Sequence, residues 1–172
     1  HYRAFIEAAP FAALATSGPD GLDVSPRGDP AGFVVVEDEK TLLLPDRRGN
    51  NRIDSLRNIL AEPRVALLFL IPGVNETLRV NGSARISVDP ALLQRFEMDG
   101  KQPRSVLIVD VQKVFFQCSR ALLRSRLWDP ATQIPRTALP SVGRMLSDLT
   151  AGTFDGVAYD RDLPARVAST LY

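Results

Sequence analysis

Strict alternation of apolar and polar positions runs through TLRVNGSARISV (77–88). Leu78, Val80, Gly82, Ala84, Ile86 and Val88 fall on one face, with Thr77, Arg79, Asn81, Ser83, Arg85 and Ser87 on the other. A period of two marks a strand with one buried face. FAALATS (11–17) predicts another strand, closed by the turn GPDG (18–21), after which LDVSP leads into a second turn, GDPAG. GFVVVED (32–38) and TLLLPD (41–46) predict a hairpin, favoured by their β-branched and apolar content. VALLFLI (65–71) is apolar throughout, which predicts a strand buried on both faces. SVLIVDVQKVFFQC (105–118) predicts a long final strand.

Between the strands the period changes. Apolar residues recur at Ile53, Leu56, Ile59 and Leu60, the spacing of one helical face. Asn51 is expected to cap this helix, with Asp54 as the acidic partner of a capping box and Pro63 as its stop. Shorter helices are expected over residues 2–9 and 90–99. The tail after Ser119 offers RALLRSRLW and PSVGRMLSDL as helix candidates. Six strands around one well-marked helix predict a mainly β, α+β fold. Its antiparallel sheet is expected to close, or nearly close, into a barrel, because closure removes exposed edges. No repeat or linker interrupts the chain, so residues 1–172 read as a single domain.

Composition then removes whole classes of function. Lys and Arg total 21 against 20 Asp and Glu, a net charge of +1, which leaves no electrostatic footprint for nucleic acid or for a membrane surface. The one histidine, His1, opens the sequence, so neither a zinc site nor a Ser-His-Asp triad can be assembled around an internal histidine. The one cysteine, Cys118, cannot form an intrachain disulfide. It reads as a buried structural thiol in a protein of a reducing compartment, expected to be cytoplasmic and soluble. The longest apolar run, 65–74, falls far short of the ~20 residues of a membrane span.

The segment richest in chemistry is LLLPDRRGNNRIDSL (42–56). A strand enters a loop holding Arg47, Arg48, Gly49, Asn50, Asn51 and Arg52, and a helix starts at once. Helix-start N–H groups beside guanidinium groups make an anion site, and phosphate is its natural occupant. A solvated basic loop with an ordinary cap is the alternative. DVSPRGD (23–29) places Ser25 and Arg27 on one strand face; a turn with a surface arginine is the competing reading. Thr77 and Arg79 share the polar face of their strand.

The run from GFVVVED through TLLLPDRRGNNRIDSLRNILAEP to TLRVNGSARI resembles the core of the FMN-binding split β-barrel family typified by pyridoxamine 5′-phosphate oxidase. SPRGDPAGF, LLLPDRRGNNR and RALLRSRLWDP bring it closest to a bacterial branch of that family. The resemblance implies a six-stranded antiparallel split β-barrel with flanking helices, working as a homodimer with FMN at the subunit interface. It implies that Asn50, Asn51 and Arg52 hold the FMN phosphate, with Arg27 or Arg47 sharing its charge. Leu44 and Pro45 would lie along the isoalloxazine by backbone contact, and Thr77 near the polar edge of the ring. Ser25 and Arg27 would reach ribityl or phosphate oxygens. Arg124 and Trp128 would come from the second subunit, although Trp128 reads equally as a core or interface anchor.

The C-terminal Trp-x-x-x-Arg-Leu-x-Pro pattern of the oxidase itself is missing, so the resemblance does not extend to its vitamin substrate. The expected function is an FMN-dependent oxidoreductase acting on a small molecule. A deazaflavin-dependent reductase and a non-catalytic flavin-binding protein are the alternatives.

Overall fold

The computed structural model describes residues 1–49 and 52–172; Asn50 and Asn51 lie outside the described residues. Two compact units emerge, His1–Trp128 and Asp129–Tyr172. In the first, helix α1 (Tyr2–Ala8) precedes β1 (Phe11–Gly18), β2 (Gly21–Gly28), β3 (Val35–Val36) and β4 (Thr41–Asp46). Helix α2 (Asp54–Ala61), β5 (Arg64–Leu70), β6 (Thr77–Ser87), α3 (Pro90–Arg95), β7 (Ser105–Gln117) and α4 (Arg120–Ser125) follow. Every strand pairing is antiparallel, in the order β2-β1-β5-β6-β7-β4-β3. The sheet has seven strands where six were expected, because LDVSPRG pairs along its whole length with β1 and Val35–Val36 makes a short rung on β4.

The sheet does not close: β2 and β3 are its ends, and no ladder joins them among the described residues. It curls all the same. Asp29, just past β2, meets Arg47, just past β4, at 2.7 Å. The two margins of the sheet therefore approach each other across an unpaired seam.

Inside the curl lies the core, formed from one face of each long strand. Leu14, Leu42, Leu44, Leu67, Phe69, Leu78, Val80, Leu107 and Val109 are almost wholly buried there, capped by Ile6 of α1 and Ile59 of α2. Each such side chain contributes about 1.5–3 kcal/mol through removal from water. Strand β4 is buried on both faces, since Leu43 packs outward with Phe96 and Val106 beneath α3. That explains its unbroken apolar run. β5 is not covered in this way. Val65, Leu67 and Phe69 point inward, while Leu68 on the opposite face is 36% exposed.

Three local expectations change. Helix α2 starts at Asp54 with Ile53 at the cap position and no side-chain cap; the cap expected at Asn51 lies outside the described residues. Helix α3 is shorter than 90–99, because Asp99 and Gly100 take positive φ and turn the chain into β7. Cys118 is exposed rather than buried: β7 outruns the core, and Phe115, Phe116 and Gln117 before it are already exposed.

The second unit holds α5 (Val142–Leu149), found at the expected place, and α6 (Gly156–Ser169), which sequence periodicity missed. They touch at two glycines. A Cβ on Gly143 would lie 2.0 Å from the Gly156 carbonyl oxygen, so only glycine permits this approach.

Candidate functional site

The seam opens into a cleft of about 770 Å³, within the usual range for small-molecule and cofactor sites. One wall is β2, from Asp23 to Gly28. The other is the end of β4, the loop after it and the start of α2. Ile86, Val88, Arg104 and Ser105 close the floor. Five arginines line it: Arg27, Arg47, Arg48, Arg52 and Arg104. Asp23, Asp46 and Asp54 are interspersed. Antiparallel pairing makes Asp46 and Ser105 cross-strand neighbours, which is how residues 59 positions apart share the floor.

The arginines are not equivalent. Arg47 donates from Nε to Asp29 at 2.7 Å and from a terminal nitrogen to the Phe96 carbonyl; the two side chains of the pair are only 15% and 2% exposed. Its task is to clasp the seam. Arg52 pairs with Asp54 at 2.8 Å and is 75% exposed, at the mouth of the cleft. Arg27 donates from a terminal nitrogen to the neighbouring Pro26 carbonyl, while its Nε is buried without a hydrogen-bond partner. The Ser105 hydroxyl is buried and unpartnered as well. Two residues of one cleft thus carry a buried polar atom with no protein partner, an uncommon arrangement in a native fold.

Burial lowers the Arg27 pKa, with the negative charges of Asp46 and Asp23 opposing that shift. Burial likewise pushes the Asp46 carboxyl above the ordinary carboxylate value, against the positive charges of Arg27 and Arg104. Beside them, Ser25 Oγ donates to Asp23 at 3.2 Å, and the buried Ser55 hydroxyl of α2 lies 3.2 Å from both Asp23 and Ser25. This cluster ties α2 to β2. Asn58 adds a bond to Thr16 on β1 at 3.1 Å.

The structure thus brings Ser25, Arg27, Pro45, Arg47 and Arg52 to one cleft. Leu44 is fully buried in the core and does not line the cleft. Asn50 and Asn51 are outside the described residues. The other expected residues lie elsewhere. Thr77 begins β6, is almost wholly buried and does not line the cleft. Trp128 donates its indole N–H to Val74, three residues before Thr77, at 2.8 Å. Arg124 is exposed on α4. Asp46, Arg104 and Ser105 are additions; their signal was a charged residue closing one strand and a polar pair opening another.

The sequence profile of the pyridoxamine 5′-phosphate oxidase family matches residues 1–118. The chain belongs to that family. As a member of the pyridoxamine 5′-phosphate oxidase family it has its whole cleft within the matched region, whereas Arg124 and Trp128 fall outside it.

Solved structures agree in fold. HupZ of Group A Streptococcus is 18% identical over 66% of this chain and 89% of that one, with a TM-score of 0.54. General stress protein 26 of Bacillus anthracis is 19% identical over 66% and 88%, TM-score 0.50. A protein of Clostridium acetobutylicum related to general stress protein 26, of the pyridoxinephosphate oxidase family, is 14% identical over 67% and 84%, TM-score 0.52. No curated protein matches the sequence.

Proposed function

We propose that this protein binds FMN in the seam cleft and works, as a homodimer, as a flavin-dependent oxidoreductase on a small molecule. One observation carries the reading. In a member of this family, the two margins of the sheet meet at an arginine-lined cleft whose Arg27 Nε is buried and unpartnered. Arg27, Arg48, Arg52 and Arg104 would hold the phosphate. Arg47, held by Asp29, would keep the walls in place. Ser25 and the backbone of Pro45 would face the rest of the cofactor. FMN supplies the redox chemistry, and the chain supplies binding, orientation and the electrostatic setting.

Two further observations support the homodimer. Neither Thr77 nor Trp128 lines its own protomer's cleft, which leaves both open to a role in a partner's. The outward face of the sheet also carries exposed Leu22, Val24, Phe11 and Leu68, an apolar surface suited to a second copy. Arg124 and Trp128 would then serve the partner's cleft.

A deazaflavin coenzyme is the second reading, favoured by the exposed Arg48 and Arg52 beside the cleft, which suit a longer acidic tail. Denaturing the purified protein and weighing the released cofactor separates the two. FMN is the expected product. A deazaflavin, or no uptake of FMN on reconstitution, rejects the proposal, and reduction of the bound flavin by nicotinamide donors tests for catalysis.

A further inference from the structure

A carboxylate at the floor of an anion site is out of place. Asp46 ends β4, lines the cleft and faces the same space as Arg27, yet any phosphate drawn in by five arginines arrives beside its negative charge. Two features of the floor indicate how this conflict is resolved. The Ser105 hydroxyl, cross-strand neighbour of Asp46, is buried and lacks a partner. It makes no hydrogen bond to the Asp46 carboxyl, so no donor on that side supports the ionised form. Arg27, whose charge gives ionised Asp46 its largest support, donates one terminal nitrogen to the Pro26 carbonyl and keeps its buried Nε unengaged.

We infer that Asp46 takes up a proton when an oxyanion enters the cleft, so that this residue sets the pH range and the charge selectivity of binding. The inference rests on the cleft being the ligand site proposed above. The groups around Asp46 come from every adjoining element: Arg27 and Asp23 from β2, and Arg104 from the start of β7. Arg47 and Arg48 follow it in the loop, Arg52 lies just before α2, and Asp54 opens that helix. In the free cleft Arg27 and Arg104 favour the ionised carboxyl, while burial works against it. An oxyanion that pairs with these arginines withdraws that support and adds a like charge, so the proton becomes more tightly held.

The sign follows. The Asp46 pKa is higher with the anion bound than without it. Affinity is then greatest below the free-state pKa, falls as pH rises through it, and levels off above the pKa of the complex. Each pH unit by which the ligand raises this pKa corresponds to about a tenfold loss of affinity across the window.

The test is titration of the apoprotein with FMN from pH 5 to pH 8, alongside Asp46→Asn, with flavin fluorescence as the readout. Asp46→Asn is expected to match the parent at the acid end and to bind FMN several-fold to tenfold more tightly at pH 8. Calorimetry of the parent with sulfate, whose charge is fixed over this range, in two buffers of different ionisation enthalpy is expected to show net proton uptake; it needs no variant and so is independent of how the variant folds. Riboflavin, which lacks the phosphate, is expected to show neither effect. A constant parent-to-variant ratio at all pH values, weaker binding by Asp46→Asn at pH 8, or no proton uptake would overturn the inference. Sulfate, whose charge is fixed over this range, forms a separate arm read by thermal shift. If FMN fails to bind at all, the cofactor reading falls, while a sulfate stabilisation that fades with pH in the parent and persists in Asp46→Asn still upholds the role of Asp46.

Discussion

Three arginines of one cleft do three different things because each has a different remaining hydrogen-bonding capacity. Arg47 is engaged by Asp29 and the Phe96 carbonyl, Arg52 lies in the open, and Arg27 has a buried donor unmet. Arg52→Ala is expected to weaken FMN binding by roughly 10–150-fold, the effect of losing about 1.5–3 kcal/mol from a charge-assisted phosphate contact. An unchanged dissociation constant would remove Arg52 from the site. Breaking the clasp acts on stability instead. Asp29→Ala removes one partner of a largely buried ion pair, which typically costs about 3–5 kcal/mol. Urea titration should show this loss, and Asp29→Ala combined with Arg47→Met should recover part of it. At this scale the sequence was partly legible. Three arginines in six residues pointed to the loop that lines the cleft, but nothing in LLLPDRRG distinguishes the arginine that clasps the seam from its neighbours, because Asp29 and Phe96 reach Arg47 only through the fold.

At the scale of elements, alternation located most strands because each has one face in the core. β6 follows the expected pattern, with Leu78, Val80, Gly82 and Ala84 inward. The pattern fails where burial is not one-sided. β5 was read as covered on both faces, yet its own protomer covers one; β4, with the similar run LLLP, is the strand that α3 and Phe96 cover from outside. Pairing was not legible at all. The neighbours β4 and β7, which bring Asp46 to Ser105, are separated by most of the barrel in sequence. Nor was the β-bulge between Asn81 and Gly82, where β6 bends against β7. There a Cβ on Gly82 would lie 2.2 Å from the Asp110 carbonyl oxygen. Backbone cannot yield as a side-chain tip can, so Gly82→Ala is expected to destabilise the fold by about 1–3 kcal/mol, measured as a lower denaturant midpoint. Wild-type stability in that variant would mean that the bulge relaxes freely.

For the molecule as a whole, the decisive feature is a sheet that curls without closing. Its unpaired seam is held by side chains, Arg47 to Asp29, and it is there that the cleft opens. The resemblance carried by LLLPDRRGNNR and its neighbours led to the right family, while the seam itself has no local signature. The apolar outer face leads to the expectation of a two-fold dimer, observed as twice the monomer mass by light scattering at micromolar concentration. A monomer with flavin bound would contradict shared sites. The central claim is that the arginine-lined seam is a phosphate-reading flavin site, and the most direct measurement is parallel titration of the apoprotein with FMN and riboflavin. The two ligands differ only in the phosphate. FMN is expected to bind at least about tenfold more tightly, the difference of one charge-assisted contact, and to lose that advantage as salt rises. Equal affinities for FMN and riboflavin at low salt would contradict the account.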